Sequence, residues 1–223
     1  MAFKTEVYPS NVFAEQVAAR LATSLTRRAP VMITGGDTVG EVYERLAALA
    51  PDWSGIDVVF SDERCVPPGD PNSNYRLAKE TLFDRIRGAE VHRMRGEDRP
   101  EQGARAYDEE MGPIVQTRIG LAVLGLGANA HIAALFPGHG SLHEEARRCV
   151  AVDRPDGMKG ITLTPPVLRS PETILFVVAG EGKAEAVARA VKGDESPDDA
   201  PVRLLADHPD CTLLLDEPAA SQL

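Results

Sequence analysis

A lone histidine, His131, follows a run of alternating glycines in Leu124-Gly125-Leu126-Gly127-Ala128-Asn129-Ala130-His131. The apolar run Ile119 to Leu124 has the make-up of a buried strand, and the glycines form the turn that leaves it. Ile132 to Phe136, closed by Pro137-Gly138, is expected to be a short helix starting near His131. Ligands of open α/β sheets bind outside the carboxyl ends of strands, where an imidazole can take a proton near neutral pH. The structural alternative is a histidine that caps a neighbouring carbonyl. His139 and His143 lie nearby, but the spacing fits no zinc pattern and no cysteine joins them, so no metal is expected. No Gly-x-Ser-x-Gly elbow is present, which argues against a serine-hydrolase triad.

Three further strand ends carry polar or glycine-rich turns. Thr34-Gly35-Gly36-Asp37-Thr38 precedes a helix, so its backbone N–H groups and the helix dipole suit a phosphate; without a ligand it is a tight strand-to-helix turn. Arg64, in Ser61-Asp62-Glu63-Arg64, suits a bidentate grip on a phosphate or carboxylate, unless the acids simply pair with it to hold the loop. Lys183 follows Gly180-Glu181-Gly182 in the first turn of a helix, where the dipole disfavours a cation; a bound anion or a solvated side chain would account for it. Gly125-Leu126-Gly127 is not a dinucleotide fingerprint, because Ala130 stands where the third glycine is required.

The elements that must position these residues alternate. Apolar periodicity marks helices over 11–28, 38–50, 100–116 and from Lys183 to Val191, and Asn74 or Ser73 caps a helix through Leu82. Strands are expected at 30–34, 56–60, 119–124, 173–179 and 211–216, with shorter β-type runs at 91–94, 149–152 and 160–164. This order predicts an α/β fold, a mostly parallel Rossmann-like sheet with helices on both faces, as a single domain over residues 1–223. Whether the acidic, proline-bearing loop 193–201 covers the site is not legible. A net charge of −10 argues against nucleic acid and anionic membranes as partners. No apolar run approaches membrane-spanning length, and Cys65, Cys149 and Cys211 are odd in number and widely spaced, as in a cytoplasmic protein with reduced thiols.

Taken together these residues resemble the 6-phosphogluconolactonase family over nearly the whole chain. The landmarks are Gly35-Gly36-x-Thr38, Asp62-Glu63-Arg64-x-Val66, Asp70-x-x-Ser73-Asn74-Tyr75, Leu124-Gly125-x-Gly127 followed by His131, and Ala133-x-Leu135-Phe136-Pro137-Gly138. Ile161-Thr162-Leu163-Thr164, Pro166-Val167-Leu168 and Gly180-x-x-Lys183 continue them in order. The superfamily also holds glucosamine-6-phosphate deaminases and, more distantly, ribose-5-phosphate isomerases. The resemblance implies hydrolysis of 6-phosphoglucono-1,5-lactone to 6-phosphogluconate in the oxidative pentose phosphate pathway, without metal or organic cofactor, by a monomer or small homo-oligomer. His131 would deprotonate water, the glycine-turn N–H groups would face the oxyanion, and Gly35, Gly36, Asp37, Thr38, Arg64 and Lys183 would surround the phosphate.

Departures from the pattern fall in the same stretches. The family usually has Asp-Gly-His where Asn129-Ala130-His131 stands, Ser in place of Asp37 and Arg in place of Gly160. In a serine-protease triad the Asp-to-Asn change lowers turnover on the order of 10⁴-fold, and an activated lactone needs less help. Catalysis then rests on His131 with Asn129 at the supporting position, or with Asp37 or Glu63 taking over that support, and Lys159 partly replaces the missing arginine. The alternatives are an isomerase- or deaminase-like enzyme with a shifted substrate, and a non-catalytic sugar-phosphate binder.

Overall fold

The computed structural model describes residues 3–25, 29–49 and 51–223. Seven parallel strands form the central sheet: β1 (Lys4–Tyr8), β2 (Val31–Ile33), β3 (Asp57–Phe60), β5 (Glu90–His92), β6 (Leu121–Leu124), β9 (Thr173–Val178) and β10 (Cys211–Asp216). Their order is β1-β10-β9-β6-β2-β3-β5. β2, β6 and β10 are buried along their whole length, as continuous apolar runs covered on both faces must be. β1 was not legible in the sequence: it is a polar edge strand, Lys4-Thr5-Glu6-Val7-Tyr8, with no buried position.

The connecting helices are α1 (Phe13–Ser24), α2 (Asp37–Ala48), α3 (Asn74–Ala78), α4 (Pro100–Gln116), α5 (Pro165–Leu168) and α6 (Ala184–Lys192). The expected helix over 11–28 ends at Ser24, and its Arg27-Arg28 tail lies outside the described residues, as does Ala50 beyond α2. Ser73 caps α3 by accepting from Arg76 N, and a single π-type turn carries the chain on to Phe83. One hydrophobic core runs through the sheet and its helices, with Trp53, Tyr43, Tyr107 and Phe176 among its largest buried side chains.

A second sheet was not anticipated. β4 (Asp62–Arg64), β8 (Lys159–Leu163) and β7 (Cys149–Asp153) pair antiparallel in the order β4-β8-β7, with Arg64 opposite Gly160. β4 follows β3 after the single residue Ser61, so this sheet stands at the carboxyl end of the main one.

Neighbouring β2 and β6 lead in opposite directions along the sheet, β2 to β3 and β6 to β9. Their carboxyl ends therefore part at a topological switch point, the place where open α/β sheets bind ligands.

Candidate active site

The two loops leaving the switch point are Thr34–Thr38 and Gly125–His131, and they line a cleft of ≈ 320 Å³. Arg64 from β4 and Lys183 after β9 line the same cleft, so all four turns picked out from the sequence converge there. Gly36 precedes α2 and Asp37 begins it; the exposed Asp37 carboxylate sits in the helix's first turn. Tyr43 fixes the start of this turn, accepting from Thr34 N at 3.2 Å and donating to Thr34 O at 2.9 Å.

No helix starts at His131. Ala130 and Ala133 take left-handed φ angles of 64° and 49°, and two such residues within four positions preclude a right-handed helix. The segment is a series of turns instead, joined by the Ile132–Leu135 bridge. Three ties hold it: Val202 N donates to Ala130 O at 3.0 Å, Ala134 N to Thr162 Oγ1 at 3.2 Å, and Gly138 N to Asp198 O at 2.8 Å. The loop 193–201 thus packs beside the histidine segment, with Asp198 joined to Gly138, and contributes no residue to the cleft.

Gly127 has no room for a side chain, because a Cβ there would lie 1.9 Å from His131 Nδ1. Its N–H donates to His131 O at 2.9 Å, so this glycine N–H is committed and does not serve an oxyanion as expected. The imidazole packs on Phe136, with ring centroids 4.7 Å apart. Asn129 Oδ1 meets both the backbone N of His131 at 3.3 Å and Nδ1 at 2.6 Å. A backbone N–H can only donate, so the amide atom it meets is the oxygen, Nδ1 carries the proton, and Nε2 is left bare. Burial pushes the His131 pKa down to about 4; Asp62 pulls it up, and Arg154, Lys183 and Arg64 press it further down.

The substitutes considered for the missing aspartate do not reach His131. Glu63 is buried and fully used elsewhere: Oε1 accepts from Arg64 N and Asn74 N, each at 2.7 Å, and Oε2 from Tyr75 N at 2.8 Å and Ser73 Oγ at 2.9 Å. Burial raises its pKa despite these four donors. Asp37 lines the cleft but makes no hydrogen bond to His131 among the described residues; the partner is Asn129 itself. Lys159 does not replace the absent arginine either, since it is exposed and paired with Asp153.

Arg64 donates through Nη1 to Asn72 O at 2.8 Å, while its buried Nε has no partner. It forms no salt bridge with Asp62 or Glu63, so the acids of that turn do not neutralise it. Lys183 closes a 3₁₀ turn and caps α6; burial lowers its pKa, and it has no salt bridge among the described residues. The sequence reading missed Arg154, which also lines the cleft and lies 3.8 Å from the buried Asp62. No local signal marks it, since Arg154-Pro155-Asp156-Gly157 reads as an ordinary hairpin turn. Three cations and two carboxylates therefore ring the cleft. His139 and His143 are elsewhere, bonded to Ser141 and paired with Asp198 respectively. The described residues that could together ligate a metal, Asp57, Glu90 and His92, lie on β3 and β5.

Fold and site define an open α/β protein with an anion-receptive cleft at its switch point, entered by one neutral imidazole. The chain belongs to the glucosamine-6-phosphate isomerase/6-phosphogluconolactonase family, whose model matches residues 8–214. It is 34% identical to a 6-phosphogluconolactonase of Streptomyces coelicolor, covering 95% of this chain and 91% of that one. Another from Synechocystis sp. is 31% identical, covering 93% of this chain and 90% of its own length. A monomeric glucosamine-6-phosphate deaminase shares the fold with a TM-score of 0.87 at 24% identity, covering 99% of this chain and 100% of that one. No helix among the described residues is long and apolar enough to cross a membrane.

Proposed function

We propose that this chain hydrolyses 6-phosphoglucono-1,5-lactone to 6-phosphogluconate in the oxidative pentose phosphate pathway, with His131 Nε2 as the general base. The observation that carries the reading is the bare Nε2 of a ring held at Nδ1 by Asn129, in a cleft where Lys183 and Arg64 have no carboxylate partner among the described residues. The two lactonase relatives, alike over nine-tenths of the chain, support the choice of lactone over amino sugar.

In the bound complex the phosphate lies at the N-terminus of α2, against Gly35, Gly36 and Thr38, with Lys183 and Arg64 as its cations. Asp37 sets an anion at the edge of that pocket. The δ-lactone is an activated ester, so a base that deprotonates water suffices and no covalent nucleophile is needed. Water adds to the carbonyl carbon and passes its proton to Nε2; the ring C–O bond then breaks and the ring oxygen takes the proton back. Asn129 holds the ring orientation through Nδ1–H during both transfers. On this reading residues 1–223 act as one unit, in the cytoplasm, and the three free cysteines are in keeping with that compartment.

Purified protein should hydrolyse the lactone well above its spontaneous rate, and His131→Ala should remove that excess. Thermal stabilisation by 6-phosphogluconate with no turnover would instead identify a sugar-phosphate binder.

A further inference from the structure

Another side chain lies over Gly160. A Cβ built there would meet Arg154 Cδ at 3.2 Å and Cγ at 3.3 Å. Arg154 opens the hairpin between β7 and β8, its N–H donating to Met158 O at 3.0 Å. The side chain turns back across the small sheet to line the cleft, and only 8% of it remains exposed. A buried guanidinium needs partners on all its N–H groups. Nε and Nη2 both reach Asp156 Oδ2 at 3.1 Å, and the group lies over Phe136, with Cζ 5.4 Å from the ring centroid. Nη1 has no such partner: Asp62 Oδ2 stands 3.8 Å away, beyond hydrogen-bond reach. One end of the guanidinium is anchored, and the other brings two unmatched N–H groups to the cleft wall.

Arg154 also stands close to the base. Phe136 packs against both its guanidinium and the His131 ring, and of the three cleft cations Arg154 acts most strongly on the imidazole. The Gly127 N–H that might have served the reacting carbonyl is already spent on His131 O. Resting on the lactonase reading, we propose that Arg154 is a catalytic residue: one Nη1 N–H donates to the lactone carbonyl oxygen and holds it as water adds. In that step the water oxygen bonds to the carbonyl carbon, the water proton goes to His131 Nε2, and the carbonyl π pair becomes a lone pair on the held oxygen. When the ring C–O bond breaks, that pair re-forms the C=O bond and the ring oxygen takes the proton from His131. Asp156 anchors the guanidinium through Nε and Nη2, and Asp62, beyond hydrogen-bond reach, does not occupy the Nη1 donors.

The test uses the whole protein and 6-phosphogluconolactone. Arg154→Met should lower kcat by about 100-fold with little change in KM, as for loss of one oxyanion donor. Arg154→Met/Gly160→Arg should recover at least about tenfold of this, because a side chain from 160 starts along the course that Arg154 now takes. Arg154→Lys keeps the charge, guards against a folding failure, and should fall between Arg154→Met and wild type. Arg154 variants with kcat within about twofold of an active wild type would overturn the proposal and leave the lactonase reading standing. So would a rise in KM alone, which would assign Arg154 to the phosphate, or a double variant as slow as Arg154→Met. A wild type no faster than the spontaneous reaction would instead remove the lactonase reading itself.

Discussion

Replacing Asn129 by aspartate should make the enzyme faster at neutral pH and slower in acid. In the wild type, burial, and beyond it the fields of Arg154, Lys183 and Arg64, hold the His131 pKa at about 4 against the pull of Asp62. The base form is therefore fully populated at pH 7, and the acid limb of kcat/KM should fall near pH 4. Such an imidazole is always ready and always weak. Asn129→Asp places a carboxylate on the Nδ1–H now 2.6 Å from the amide oxygen. An opposite charge at that range raises a pKa by about 1–3 units; two units stabilise the imidazolium by about 2.7 kcal/mol. If half of that is felt in the transition state, the barrier drops by about 1.4 kcal/mol and kcat rises about tenfold. The acid limb moves to about pH 6, so that near pH 5 the stronger base is mostly protonated and the gain has vanished. Proton release in lightly buffered solution, corrected for spontaneous hydrolysis, follows both effects from pH 4 to 7.5. A variant with wild-type rate and an unmoved acid limb would refute the assignment of Asn129 as the Nδ1 partner and of His131 as the base.

Lys183→Met should raise KM for the phosphorylated lactone by roughly 10–100-fold, the loss of one charge-assisted contact, and leave hydrolysis of an unphosphorylated δ-lactone nearly unchanged. Equal losses on both substrates would take Lys183 out of the phosphate site. Glu63→Gln puts an amide where one oxygen now accepts two donors, and should destabilise the fold by roughly 3 kcal/mol in urea titration; a loss below about 1 kcal/mol would contradict its role as the hub of β4 and the 73–75 turn. Burial lowers the His92 pKa, but hydrogen bonds to Glu110 and Asp57 outweigh it and the net shift is upward. A raised pKa gives stability that is complete below the unfolded value of about 6.5 and is lost as pH rises through the folded value. The Tm of wild type should therefore fall relative to that of His92→Gln between pH 6 and 8, and parallel curves would discount the clamp.

Much of the frame was legible because its signals are local. The buried runs at β2, β3, β6, β9 and β10 read as strands, and the stretches after the first four named Gly35, Gly36, Asp37, Thr38, Arg64, His131 and Lys183, which the fold brings to one cleft. What failed depended on partners distant in sequence. Ile132 to Phe136 has helix-forming composition, yet ties to Thr162, Asp198 and Val202 fix two alanines at positive φ. Asp62-Glu63-Arg64 reads as a polar turn; it is a strand only because Lys159–Leu163 lies beside it. Glu63 looked free to help His131, although the Ser73-Asn74-Tyr75 turn that occupies it was already visible as a helix cap. Arg154 was unreadable, because its value depends on the emptiness of Gly160 six residues later and on the other strand of the hairpin.

The missing side chain at Gly127 limits how this site can change over time. Any residue larger than glycine would need the volume that the imidazole fills, so replacement there and retention of the His131 ring in its present position exclude each other. A lineage that once accepted alanine at 127 would lose the selective reason to keep His131, and reversal would then need both positions to return together. For the laboratory the same exclusion offers a tool. With His131 as the proposed base, Gly127→Ala should displace it while leaving Lys183, Arg64 and the start of α2 in place, which is what is wanted of a protein meant to capture a short-lived lactone rather than consume it.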